Sequence, residues 1–238
     1  MTLPASKTKI VCTIGPASDS PEILEKMIIA GMNVARLNFS HGDFPGHKAV
    51  IDRIRLLEKK TGRHVAILAD LPGPKIRIGQ LEEESVELSP GDHFTLTSDD
   101  IIGNAERVST NFDSLPQVVK PGDTLFLNDG IIQLEVERIA GGDVFCTCKV
   151  GGELRSRNGI NLPGIDLGIS AFTEHDHKCL EFALENRVDA VSQSFVETAA
   201  DIEAVRSAAE ELGHTPFIIA KIERAGAREH LAEILRAA

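Results

Sequence analysis

The feature that most constrains this chain is an alternation that stops and then resumes. Short apolar runs at residues 9–15 (KIVCTIG), 34–39 (VARLNF) and 65–71 (VAILADL) read as strands. Between them lie helical patterns: Ile23, Leu24, Met27 and Ile28 in the first, and Val50, Ile51, Ile54 and Leu57 in the second, over 45–61. Ser20-Pro21-Glu22 marks a helix start, and Gly31 and Gly62 mark ends. Strand and helix joined by short links are the signature of a parallel α/β sheet.

From about residue 73 to 165 no convincing amphipathic helix appears. Short β-type runs are separated by the turn signals Ser89-Pro90-Gly91-Asp92, Lys120-Pro121-Gly122-Asp123, Asn128-Asp129-Gly130 and Gly141-Gly142-Asp143. Residues 131–139 and 144–150 read as a hairpin. Alternation resumes near Ser170, with helices expected over 173–186, 199–213 and 226–237, and strands over 188–195 and 217–223. The expected class is α/β: a partial (β/α)8 barrel of about five βα units, over 1–72 and 166–238, interrupted by an all-β barrel domain over 73–165. A closed barrel takes roughly 250 residues.

Charge narrows the function. With a net charge of −11, no Trp and no Tyr, the chain is a poor candidate for nucleic acid, which needs a basic face and stacking rings. No apolar stretch approaches a membrane span. Cys12, Cys146, Cys148 and Cys179 form no disulfide or metal spacing and read as free, partly buried thiols, with Cys146 and Cys148 on one strand face. A cytoplasmic location is expected.

Barrels of this type gather chemistry where their strands end. Strand one ends in Thr13, and strand two carries Arg36, Asn38 and Ser40, followed by His41. Strand three ends at Asp70, strand four at Ser192 and Ser194, and strand five carries Lys221 and Glu223. Residues two apart on a strand share a face, so Arg36, Asn38 and Ser40 point together, as do Lys221 and Glu223. Barrel interiors normally hold Val, Ile or Leu, and charge there is costly without a ligand, metal or partner. Converging Arg and Lys suit a phosphate, and a carboxylate beside them suits a hard cation bridging to it. This is a part list for phosphoryl transfer. The competing reading is a set of structural ion pairs. His175 and His177 read as a solvated helix face, and Glu82-Glu83-Glu84 as a solvated loop.

The segments KIVCTIGPAS, MNVARLNFSHG, ILADLPGPKIRIG, NGINLPG and IIAKIERAGA occur here in an order and spacing that resembles the pyruvate kinases. The resemblance covers essentially the whole chain. It implies transfer of a phosphoryl group from phosphoenolpyruvate to ADP, giving pyruvate and ATP. Arg36 would bind the phosphate of phosphoenolpyruvate, and Lys221 would stabilise the transferring group and the enolate. Glu223 would ligate Mg2+ or Mn2+. Asn38, Phe39, Ser40, His41 and Arg77 match nucleotide-side positions. Asn38, Ser40, Asp70 and the Leu71 carbonyl match a K+ site. Here Lys75 stands where potassium-dependent members carry Glu, so the ammonium would replace the cation and K+ would not be required. Asn158 departs from a family lysine, with Arg155 or Arg157 as substitutes. The resemblance further implies later barrel strands, a second metal-binding Asp, a proton-assisting Thr and a C-terminal domain. Their lack here makes the expectation a truncated chain, weak or inactive alone, that self-associates or pairs with a C-terminal half. A non-catalytic phosphate- or nucleotide-binding remnant is the alternative, and a related aldolase or lyase a third reading.

Overall fold

The structure, a computed structural model, describes residues 7–165 and 167–238, so the expected boundary at 166 lies outside it. The chain divides into two compact units, one formed by Met1–Pro74 with Ser170–Ala238, the other by Lys75–Ile169.

The first unit is a parallel α/β sheet. Its elements are β1 (Val11–Thr13), α1 (Pro21–Ala30), β2 (Val34–Asn38), α2 (Phe44–Thr61) and β3 (Ala66–Leu71). The second unit then follows, with β4 (Ser85–Leu88), β5 (His93–Thr97), β6 (Arg107–Ser109), α3 (Leu115–Val118), β7 (Thr124–Leu127), β8 (Ile132–Ala140), β9 (Asp143–Val150), β10 (Gly152–Arg155) and β11 (Ile160–Asn161). The first unit closes with α4 (Glu174–Glu185), β12 (Ala190–Gln193), α5 (Ala199–Glu211), β13 (Phe217–Ala220) and α6 (Leu231–Ala237).

Capping sets the helix ends. The Ser20 hydroxyl accepts the Ile23 N–H, Pro21 occupies a position where no N–H is needed, and Gly31 ends α1 at φ 117°. Asp43 caps α2 by accepting the Gly46 N–H at 2.8 Å, so that helix begins one residue before the expected 45. Thr173 and Asp176 form a reciprocal capping box on α4. The last helix is shorter than expected. Residues 226–228 form a 3-10 turn, and α6 starts only at Leu231.

The five strands run in the order β1-β2-β3-β12-β13, every neighbouring pair parallel. Leu24, Ile28, Ile54, Ile67, Leu180 and Ile202 are all fully buried in the core between strands and helices. Burying each such side chain contributes about 1.5–3 kcal/mol. The expected strand 188–195 shortens to β12 because Phe195 turns into the left-handed region at φ 59°. Val11 on β1 and Phe217 on β13, the outer strands of the sheet, are 54% and 69% exposed.

The second unit holds a six-stranded sheet, β11-β7-β8-β9-β5-β6, and the pair β10-β4. The β8–β9 hairpin turns at Gly141, φ 60°. Phe94, Leu96, Val108, Leu125, Leu127 and Leu134 are fully buried. Cys146 and Cys148 join that core at 1% exposure, more deeply than expected, as does Cys179 in the first unit's core. All four thiols are free.

Candidate active site

Register brings the polar residues of the first unit together. Across the parallel ladder Thr13 lies opposite Arg36, Asn38 opposite Asp70, and Asp70 opposite Ser192. The Lys221 N–H continues the ladder past β13 by donating to the Gln193 carbonyl at 3.0 Å.

The centre of the cluster is Asp70, 2% exposed. Its carboxylate accepts the Arg36 Nε–H at 2.9 Å and a second bond from Arg36 Nη2. It also accepts the Ser192 hydroxyl at 2.7 Å and lies 3.2 Å from Lys221 Nζ. A charge this deep is tolerated because two cations and a hydroxyl replace its water. Arg36 Nη1 donates to Thr13 Oγ1 at 2.8 Å. Lys221 Nζ donates to Ser194 Oγ at 2.8 Å, and that hydroxyl donates to the Leu71 carbonyl at 2.6 Å. Glu223 sits 3.3 Å from Lys221 Nζ and accepts the Phe195 N–H at 3.1 Å. The left-handed turn at Phe195 aims that N–H at Glu223. Arg36 and Lys221 keep 30% and 28% of their side chains exposed, so both cations also face outward.

The residues matched to a K+ site are adjacent, but their oxygens have protein donors. Asp70 is paired as above, Leu71 O is taken by Ser194, and Asn38 Oδ1 accepts the Ser40 N–H at 3.1 Å. Lys75 belongs to the second unit, where its carbonyl accepts from Asn111. Phe39 departs from a ligand-facing role for its ring: it is 6% exposed and stacks on His47 at 4.4 Å between centroids. Only its backbone remains for a ligand, and its N–H bonds the Asp70 carbonyl. His41 is exposed, and its carbonyl is 3.0 Å from His47 Nε2. Burial pushes the His47 imidazole below its ordinary value, against the opposing pull of the His41 carbonyl and Asp43. Arg77 lies in the second unit, where its guanidinium donates to the Arg157 carbonyl at 2.7 Å. Asn158 is occupied structurally: Oδ1 accepts the Arg155 N–H, and Nδ2 donates to Asn128. Arg155 pairs with Glu153. His175 approaches Cys179 Sγ at 3.6 Å and so is not purely solvated.

In the sequence Ser192 and Ser194 stand out only as strand-end residues. Their signal was polarity at alternate positions where a barrel strand usually carries Val or Ile. Phe195 gave no signal, because a bulky residue at positive φ cannot be read from sequence.

Among the described residues, no group of three or more His, Cys, Asp or Glu could hold a metal ion. Glu223 nonetheless fits one ligand position for a hard cation. It is a carboxylate, 38% exposed, with one oxygen on the Phe195 N–H and lone pairs to spare.

The family described as "Pyruvate kinase, barrel domain" matches residues 5–238. The chain belongs to the pyruvate kinase family. It is 46% identical over 238 residues to a pyruvate kinase of Thermococcus litoralis, covering all of this chain and 50% of that protein. It is 44% identical over 229 residues to a pyruvate kinase of Thermotoga maritima, covering 96% of this chain and 49% of that protein. A pyruvate kinase of Mycobacterium tuberculosis H37Rv is 40% identical over 229 residues, again with 96% of this chain and 48% of the relative covered. The chain thus spans about half the length of the curated pyruvate kinases it matches.

Proposed function

We propose that this chain carries the phosphoenolpyruvate-binding side of a pyruvate kinase, which transfers a phosphoryl group to ADP and yields pyruvate and ATP. The observation that carries this reading is the joint anchoring of Arg36 and Lys221 on one buried carboxylate, Asp70, with Glu223 beside Lys221. Asp70 fixes two cations whose outer faces stay open, a preorganised clamp for a phosphoryl group. Arg36 binds the phosphate. Lys221, held by Ser194, neutralises charge on the transferring group and on the enolate left behind. A divalent cation such as Mg2+ or Mn2+, with Glu223 as a ligand, would supply further charge neutralisation to the phosphoryl oxygens. Asn38, Ser40, His41 and the Phe39 backbone form the nucleotide side. On this reading K+ is not required, because Lys75 stands where potassium-dependent members carry Glu. The reading carries a cytoplasmic location with it.

The test is phosphoenolpyruvate binding by calorimetry with Mg2+, beside a coupled assay for pyruvate with ADP. Saturable binding by the folded chain that Lys221→Met and Arg36→Gln both abolish supports the reading. Binding indifferent to both substitutions, or none at millimolar ligand, sinks it.

A further inference from the structure

Gln193 is 0% exposed and takes no part in the clamp described above. It ends β12, between Ser192, which bonds Asp70, and Ser194, which bonds Lys221 and the Leu71 carbonyl. Successive side chains on a strand point to opposite faces, so Gln193 points away from the clamp. Its amide nitrogen donates to the Ala171 carbonyl at 2.7 Å and to the Ser194 carbonyl at 3.1 Å. Both partners are acceptors only, which fixes the end of the amide that carries nitrogen.

The amide oxygen, by contrast, has no donor among the described residues. A buried acceptor without a protein donor is costly, and Leu or Met would fill a similar space without one. What the two N–H groups hold is the turn that follows. Phe195 sits at φ 59°, a costly conformation for a bulky residue that persists only where its surroundings impose it. The Ser194 carbonyl gripped by Gln193 belongs to the same peptide unit as the Phe195 N–H, the group donated to Glu223 at 3.1 Å. That unit is planar and trans, so a bond that fixes its carbonyl also aims its N–H the opposite way. Gly73, at φ 64°, backs the same peptide: a Cβ there would lie 3.1 Å from the Ser194 carbonyl oxygen and 3.0 Å from the Phe195 ring.

We propose that Gln193 is a positioning residue that sets Lys221 and Glu223 from the far face of the sheet. By fixing the Ser194–Phe195 peptide it aims one N–H at Glu223. By fixing Ser194 it holds the hydroxyl that meets Lys221 at 2.8 Å. Its own backbone carbonyl accepts the Lys221 N–H at 3.0 Å. One buried side chain thus places both charged groups without touching a ligand. That these groups clamp a phosphoryl group rests on the function proposed above; their placement by Gln193 does not.

Gln193→Met keeps length and volume and removes both donors. Amide exchange in the full chain is followed by NMR at Phe195, with Val191, earlier on β12, and Ala69 on β3 as internal controls. Exchange at Phe195 should quicken about tenfold or more, while the two controls change by less than about threefold. Affinity for phosphoenolpyruvate with Mg2+, measured by calorimetry, should fall about tenfold. Gln193→Glu is the second variant, compared with the others at about pH 6: burial keeps its acid neutral, so it retains one of the two donors and should lose less on both counts. A Phe195 amide that quickens no more than Val191 and Ala69 would overturn the proposal and leave Gln193 as core filling. An unchanged affinity, or equal losses in the two variants, would overturn it too. If the wild-type chain binds no phosphoenolpyruvate, the clamp reading fails, and the exchange comparison still decides whether Gln193 places Glu223.

Discussion

Replacing Asp70 with Asn keeps the shape of the cluster and removes its only deeply buried charge. Arg36 and Lys221 then face an amide, and one of its two former oxygen positions becomes a donor aimed at donors. Removing one partner of a buried ion pair typically costs about 3–5 kcal/mol. Here both cations stay roughly a third exposed, so water screens part of the loss. About 2–3 kcal/mol is the reasoned figure, a large share of the roughly 5–15 kcal/mol that holds a domain together. Because the chain has two units, a global transition would blur the effect. Hydrogen exchange at the β3 and β12 amides reports on this sheet directly. A loss of that size should speed exchange by about 30- to 150-fold. The control is Asp52→Asn, whose pair with Lys48 is exposed on α2 and worth under about 1 kcal/mol. If Asp70→Asn speeds exchange no more than Asp52→Asn does, Asp70 is not the anchor of the cluster.

Three further outcomes are expected. The folded state holds the His47 imidazole below the ordinary 6.5, so the unfolded chain binds its proton first; stability should fall as pH drops below about 6.5, and His47→Gln should flatten that part of a stability–pH curve. An identical slope in the variant would refute the burial argument. Burial pushes the Cys146 and Cys179 thiols up to about 12, so both should resist a thiol-reactive disulfide at pH 8 in the native chain and react on unfolding; prompt native labelling of either, located by peptide mass, would contradict this. Gly151→Ala puts a Cβ 2.2 Å from the Leu88 carbonyl oxygen, a backbone atom that cannot rotate away, and should destabilise the second unit by roughly 1–3 kcal/mol in urea unfolding. A neutral result would mean that the β4–β10 edge yields.

The periodic part of the fold was legible because burial leaves a period. Leu24 and Ile28, or Ile51 and Ile54, can be read as one helix face, and period two placed Arg36 with Asn38 and Lys221 with Glu223. What could not be read was pairing across distance. Asp70 is legible in the sequence only as a carboxylate at a strand end, and its partners are Arg36, 34 residues back, and Lys221, 151 residues on. Nothing local marks such a contact. Ser194 was visible as a polar residue on a strand, but its link between Lys221 and the Leu71 carbonyl depends on β12 lying beside β3, across the second unit. Phe195 and Arg157 lay beyond sequence reading for another reason: their positive φ contradicts residue propensity, and local and tertiary demands part company there.

Two carboxylates hold the places where the chain leaves and re-enters the first unit. The Gly73 N–H donates to Asp176 Oδ1 at 2.9 Å, and the Ala171 N–H to Asp201 Oδ1 at 3.1 Å. Each of these aspartates also closes the N-terminus of a helix, α4 or α5. To the first unit, residues 75–169 are therefore a loop with fastened ends. Loop closure rises only with the logarithm of length, so an insertion of about 95 residues costs roughly 4 kcal/mol in chain entropy, and one half as long only about 0.6 less. The length of the excursion is thus nearly free to vary, while its two end points are not. Lineages could lengthen, trim or replace what lies between Gly73 and Ala171 far more easily than they could move either aspartate.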